Sequence, residues 1–271
     1  MREGSLNFLR SRRTELNKNK PAQDSFNILL YGPVGTGKSS ILATCRQPVY
    51  IASFDPGGTK LPVLEQMQAE GKAFLDTDYE AEDIKRPRAM AAFEKTYDKM
   101  EKEGVFSSLG TFAIDSLTTF GDALMNYITK REGRAGTTPQ IQDYLVQQTM
   151  LQQMFRKMCA LPCDFVVTGH ISTDKDEVTG RMVTSLLIPG KAAAKVPVLF
   201  DEVLISNVEM DSKKIPTYTI RLVGDAKYKT STRRFSGDKF EAFEKPDIMR
   251  LRDLAGKPAT HLEPLNLGEE L

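Results

Sequence analysis

Apolar and polar positions alternate along this chain in two recurring patterns. Short continuous apolar runs of strand length are followed by longer stretches with apolar residues at helical spacing. The first run, Phe26 to Tyr31, is rich in strand-forming residues, and a helix is predicted to start at Ser39 and run through Cys45. Pro48 to Phe54 reads as a second strand, ending in Asp55 and a Pro56-Gly57-Gly58 turn. Leu61 to Glu70 predicts a short helix. Met90, Phe93, Tyr97 and Met100 recur at helical spacing among charges and predict an amphipathic helix over 86–103. Gly110 to Ser116 is the next strand, and Phe120, Leu124, Tyr127 and Ile128 mark the helix after it. A flexible loop at 133–139 leads to a long helix striped by Ile141, Tyr144, Leu145, Leu151, Met154, Phe155 and Met158. Asp164 to His170 is a further strand. A polar stretch follows to Pro189, with a hairpin turn expected at 177–181. A short helix over 191–200, strands over 202–206 and 217–223, and a helix over 246–254 complete the pattern. Alternating strands and helices predict an α/β fold of three layers, a mainly parallel sheet with helices on both faces.

Composition narrows the class only slightly. The 271 residues carry 37 Lys plus Arg against 36 Asp plus Glu, a net charge of +1, so bulk charge selects no nucleic-acid partner. Cys45, Cys159 and Cys163 lie in apolar surroundings without metal-ligand spacing and read as reduced thiols, which suggests a cytoplasmic protein. No apolar run approaches the ~18 residues of a membrane span, and the first residues lack the apolar core of a signal peptide. Three regions are expected: a basic arm over 1–25, an α/β core over 26–236, and a C-terminal helix with a loose tail over 237–271.

One motif carries specific chemistry. Gly32-Pro33-Val34-Gly35-Thr36-Gly37-Lys38-Ser39 has the spacing G-x-x-x-x-G-K-[ST] and lies between a predicted strand and a predicted helix, the context a phosphate-binding P-loop requires. The glycines let backbone N–H groups approach phosphate oxygens, and the helix start at Ser39 and Ser40 is expected to add its dipole. Lys38 is placed to reach the β- and γ-phosphates of ATP and Ser39 to ligate Mg²⁺. Three further strand ends carry polar groups, namely Asp55, Asp115 and His170. Ligands bind at the carboxyl ends of strands in such sheets, so these groups should converge on one nucleotide. Asp115, ending Thr111-Phe112-Ala113-Ile114, fits a Walker B aspartate acting on Mg²⁺.

The residue after Asp115 is Ser116, not the glutamate many P-loop ATPases place there. A carboxylate at the end of the preceding strand, Asp55, is the available substitute. From about Asn27 to Phe235 this layout resembles the RecA-like ATPases, and among them the small phage ATPases that promote single-strand annealing. The resemblance implies that Asp55, where the family usually has Glu, orients the attacking water. It implies that His170 is a polar sensor, and that Lys227, Lys229 or Arg233 reaches the γ-phosphate of a neighbouring subunit. It further implies a homo-oligomer, ring or filament, acting on single-stranded DNA through the loops at 131–139 and 171–195, in the host cytoplasm if phage-encoded. Plainer roles stay open. Asp55 could cap the Pro56-Gly57-Gly58 turn, His170 could be a satisfied strand-end histidine, and the lysines could guard an edge strand. The alternative function is a non-recombinase P-loop ATPase, or an ATP-binding assembly switch, acting on a protein partner.

Overall fold

The strand Asn27–Gly32 (β1) is buried at every position and has a parallel neighbour on each side, which is why its sequence is continuously apolar. The structure is a computed structural model that describes residues 24–175, 180, 182–225, 227–233 and 240–264. β1 is followed by Val49–Ser53 (β2), Ala73–Asp76 (β3), Thr111–Asp115 (β4), Asp164–Lys175 (β5), Met182–Leu186 (β6), Glu202–Met210 (β7), Pro216–Arg221 (β8), Ser231–Thr232 (β9) and Phe243–Glu244 (β10). They form one 10-stranded sheet with the main order β10-β8-β7-β1-β5-β4-β2-β3; β6 pairs with β5 and β9 with β7. From β7 to β3 neighbours run parallel, while β8, β9, β10 and β6 add antiparallel pairs.

Successive strand residues point to opposite faces, and both faces are covered. Leu29, Tyr31, Phe54, Phe112 and Phe165 pack under the helices Ala89–Lys102 (α2), Leu117–Arg131 (α3) and Ile141–Met158 (α4). Ile28, Leu30, Ile51, Ala113 and Val166 pack under the helices Pro62–Ala69 (α1) and Ile248–Leu254 (α6). A single turn at Ala192–Lys195 (α5) lies before β7. The expected three-layer α/β architecture is present.

Two local expectations are corrected. The segment after the P-loop forms a five-residue 3-10 turn, Ser40–Thr44, rather than an α-helix. The Thr44 hydroxyl donates to the Ile41 carbonyl at 2.7 Å, competing with backbone bonding, and Pro48 arrives too soon for a longer helix. So short an element has few aligned peptides, and the dipole expected at Ser39 and Ser40 is correspondingly small. The strand β3 was not expected. It has four residues at the sheet edge, only one of them buried, and shows neither clear alternation nor a long apolar run.

The expected hairpin at 177–181 falls largely outside the described residues, but the strands flanking it, β5 and β6, pair antiparallel from Ile171↔Leu186 to Lys175↔Met182. The basic arm lies almost wholly outside them too. The C-terminal segment is tied to the core rather than loose as far as Leu262. The Leu262 N–H donates to the Gln47 carbonyl at 2.9 Å, and Gln47 N donates to His261 Nδ1 at 3.1 Å.

Candidate nucleotide-binding site

The P-loop leaves the carboxyl end of β1 at Gly32. A Cβ there would lie 2.2 Å from Ser206 Oγ and 2.6 Å from the Ser206 carbonyl on β7, so only glycine lets the loop start this close to its neighbour. Gly35 and Gly37 take φ of +79° and +80°, the left-handed region that favours glycine. Thr36 Oγ1 donates to the Pro33 carbonyl at 2.8 Å and lies 2.6 Å from Ser206 Oγ, which closes the loop on itself. Lys38 is 7 % exposed, and its ammonium donates to the carbonyls of Gly32 at 3.1 Å and Pro33 at 2.7 Å. Burial lowers the Lys38 pKa, opposed by the charges of Asp115 and Asp55.

The parallel register of β2 and β4 sets Ser53 opposite Asp115, and the N–H groups of Phe54 and Asp55 both donate to the Asp115 carbonyl, at 2.6 and 3.1 Å. Asp115 is 1 % exposed. Its Oδ1 accepts from Thr168 on β5, the Ser39 hydroxyl lies close enough to favour the ionised carboxylate, and Oδ2 has no hydrogen-bond partner among the described residues. Burial raises its pKa. Asp55 Oδ1 accepts from Ser116 Oγ at 3.0 Å and Thr119 Oγ1 at 2.5 Å, and Oδ2 faces His170 Nε2 at 3.2 Å. Burial pulls the Asp55 pKa up, but the hydrogen bonds from His170, Thr119 and Ser116 outweigh it and leave the pKa below the ordinary value. An ionised carboxylate only accepts, so Nε2 of His170 carries the proton. The P-loop, Asp55, Asp115 and His170 therefore meet at the carboxyl end of the parallel strands; His170 does not end its strand as expected, because β5 runs on to Lys175 by pairing with β6.

The AAA_24 family, described as an AAA domain, matches residues 25–234. The chain belongs to this family. No curated protein matches the chain. Among solved structures, a KaiC-like protein from the hyperthermophilic archaeon Pyrococcus horikoshii OT3 is similar at 13 % identity and a TM-score of 0.39, over 79 % of this chain and 90 % of that one. So distant a likeness bears on neither activity nor partners.

Within this AAA domain several residues that matter escape a sequence reading. Glu80 braces the turn after Asp55: Ser53 Oγ donates to one carboxylate oxygen at 2.7 Å and Gly57 N to the other at 3.1 Å. Nothing in the polar stretch around it marks Glu80 out. Ser206 and Thr168 were hidden for a different reason: each looks like an ordinary polar residue in a strand, and only the strand order brings it to the loop. Gly32, Pro33, Val34, Gly35, Thr36, Gly37, Lys38, Ser39 and Ser40 form a continuous loop and turn. Lys227, Lys229 and Arg233 lie on a segment that runs from β6 to β7: the Lys227 carbonyl accepts from Thr184 N on β6 at 2.9 Å, the Lys229 carbonyl accepts from the Tyr31 hydroxyl on β1 at 2.5 Å, and β9, just before Arg233, pairs with β7. Arg233 donates to the Val198 carbonyl, and the Lys227 ammonium sits 5.0 Å from the centre of the Tyr228 ring.

Mg²⁺ suits this site by its donor set. Ser39 supplies a hydroxyl and Asp115 a buried oxygen without a partner. Among the described residues no group of three His, Cys, Asp or Glu could hold a metal alone, so phosphate oxygens and water would have to complete the coordination.

Proposed function

We propose that this protein is a Mg²⁺-dependent ATP hydrolase. The observation that carries this is the buried, unpartnered Asp115 Oδ2 next to Ser39 and the Lys38 loop. Mg²⁺, when bound, neutralises phosphate charge; Ser39 and Asp115 are the groups that would hold it. Lys38 exchanges its two carbonyl partners for β- and γ-phosphate oxygens and stabilises the charge that builds on them. A carboxylate has about four acceptor positions. The Ser116 and Thr119 hydroxyls fill those of Oδ1, and His170 takes one of Oδ2. The remaining position on Asp55 Oδ2 accepts a hydrogen bond from the attacking water and orients it. His170, where β5 passes from pairing with β1 to pairing with β6, holds Asp55 in place, so a shift of that strand would reach the water through it.

The test is ATP turnover against Mg²⁺ concentration in the wild type and in Lys38→Ala. The expected loss is ~10²-fold or more, the scale of removing one preorganised charge-stabilising group. Equal turnover in both proteins would overturn the proposal.

The finer reading, a homo-oligomer that acts on single-stranded DNA in recombination, repair or replication, rests on the RecA resemblance and on the exposed Lys227 and Lys229. One observation favours a protein target instead. In the first loop expected to face DNA, Arg134 is paired with Asp143 at 2.7 Å, while Ile141 and Leu145 beside it are 84 % and 62 % exposed. Stimulation of turnover by single-stranded DNA supports the first reading, and its absence supports the second. Tight ATP binding with negligible turnover would make the protein an assembly switch.

A further inference from the structure

A cleft of about 470 Å³ opens beside the P-loop, walled by Gly35, Gly37, Ser40, Ile41, Tyr218 and Pro246. Its size falls in the range of small-ligand sites. Tyr218 lies on β8, opposite Val208 of β7, and is 43 % exposed. A Cβ on Gly37 would sit 3.6 Å from a Tyr218 ring carbon, so the ring faces the loop backbone at contact distance.

Strand order fixes which end of a nucleotide belongs here. β4 and β2, which end in Asp115 and precede Asp55, lie on one side of β1; β7 and β8 lie on the other. A nucleotide whose phosphates rest on the P-loop must present its γ end to the carboxylates. Its base then leaves on the opposite side, where the cleft is. We infer that Tyr218 is the platform on which the nucleotide base stacks, with Pro246 and Ile41 completing an apolar slot. This rests on the nucleotide reading above.

The cleft also dictates selectivity. Its described walls carry no carboxylate, amide or cationic side chain, and the Thr36 hydroxyl is engaged with Pro33 and Ser206. Stacking accepts any base because every base has a π-face. Discrimination by factors of 10⁴ or more requires buried hydrogen-bonding groups matched to one base. ATP and GTP should therefore bind with affinities within ~10-fold of each other.

Calorimetric titration with Mg-ATP, Mg-GTP and Mg-tripolyphosphate, using wild type, Tyr218→Ala and Tyr218→Phe, tests this. Tyr218→Ala should weaken ATP and GTP alike by ~10-fold, the scale of one base–aromatic stack, and leave tripolyphosphate unchanged. Tyr218→Phe should retain wild-type affinity for all three. Unchanged ATP affinity in Tyr218→Ala overturns the assignment. So does an equal loss for tripolyphosphate, which would mean that the ring only shapes the loop, and so does a GTP affinity more than ~100-fold from that of ATP. A wild type that binds tripolyphosphate but gains nothing from the base also sinks the platform while sparing the P-loop. A wild type that binds none of the three removes the nucleotide reading itself.

Discussion

Asp55 and Asp115 are chemically identical side chains in opposite surroundings. Asp115 is enclosed, with one oxygen taken by Thr168 and one unpartnered among the described residues. Asp55 is half-buried and accepts hydrogen bonds on both oxygens. If Asp115 serves Mg²⁺, then Asp115→Asn should flatten the Mg²⁺ dependence of turnover together with the rate. If Asp55 orients water, then Asp55→Asn should leave KM for ATP within ~3-fold and lower kcat by ~10²-fold, because a group used mainly in the transition state affects rate more than binding. Retained kcat would return Asp55 to a turn-capping role. The donors around Asp55 make a second prediction. Burial alone would raise its pKa; His170, Thr119 and Ser116 more than cancel that. Removing one donor with Thr119→Val favours the protonated acid, so the acid limb of the kcat profile should move to higher pH. An unmoved limb would mean that Asp55 does not set it.

The elements differ in how much of themselves they reveal in sequence. β1, β4 and the first half of β5 are buried on both faces, so each is a plain apolar run that reads as a strand without context. The helices α2 and α3 bury one stripe each, and that stripe is visible as helical spacing. In α4 the expected stripe holds only from Leu151 onward: Ile141, Tyr144 and Leu145 are exposed, and the buried face of the first turns is polar, Asp143 held by Arg134 and Gln147 donating to the Gly121 carbonyl, which apolar spacing does not reveal. β3, β9 and β10 have two to four residues and owe their pairing to neighbours distant in sequence, which leaves little local signal. The P-loop was fully legible because its function is backbone geometry, and backbone geometry forces glycine. The braces Glu80, Ser206 and Thr168 were not legible, since a serine or glutamate fits anywhere polar and only tertiary register gives these a task. Gly32 joins the two kinds. Gly32→Ala would set a methyl carbon 2.2 Å from Ser206 Oγ and 2.6 Å from a backbone oxygen that cannot rotate away. It should destabilise the protein by about 1–3 kcal/mol, as overpacked sites do, and weaken ATP binding by displacing the loop. Pairing it with Ser206→Gly should recover little, because the carbonyl remains. Urea melts of the three variants measure both effects, and full recovery would show the hydroxyl to be the whole obstacle.

At the scale of the molecule, the segment after residue 240 is tied to the sheet by charge inside the core. Arg252 on α6 is fully buried; it bonds Asp164 at the start of β5, Asp24 Oδ1 at 3.0 Å and the Pro258 carbonyl at 3.1 Å. Asp164 is likewise fully buried, and it also accepts from the Phe26 N–H at 2.9 Å, at the entry to β1. One ion pair thus joins the chain before β1, the start of β5 and the last helix. Burial pushes the Asp164 carboxyl up to about 6, against the pull of Arg252 and the Phe26 N–H. The folded state therefore holds this proton more tightly than the unfolded chain, whose carboxyl titrates near the ordinary 3.8. Stability contributed by this group is largest below pH ~4 and declines as pH rises to ~6, the reverse of a salt-bridged carboxylate with a lowered pKa. Arg252→Met removes the countercharge but keeps most of the volume. It should cost about 3–5 kcal/mol at neutral pH, the usual result of stranding one partner of a buried pair. The cost should shrink in acid, where the proton replaces the guanidinium. Adding Asp164→Asn to Arg252→Met should recover part of the loss at pH 8 and little at pH 5. Denaturant melts of the wild type, both single variants and the double variant at those two pH values give the coupling directly. A loss in Arg252→Met that is equal at both pH values, with no recovery in the double variant, would assign the role of Arg252 to packing rather than to the charge of Asp164.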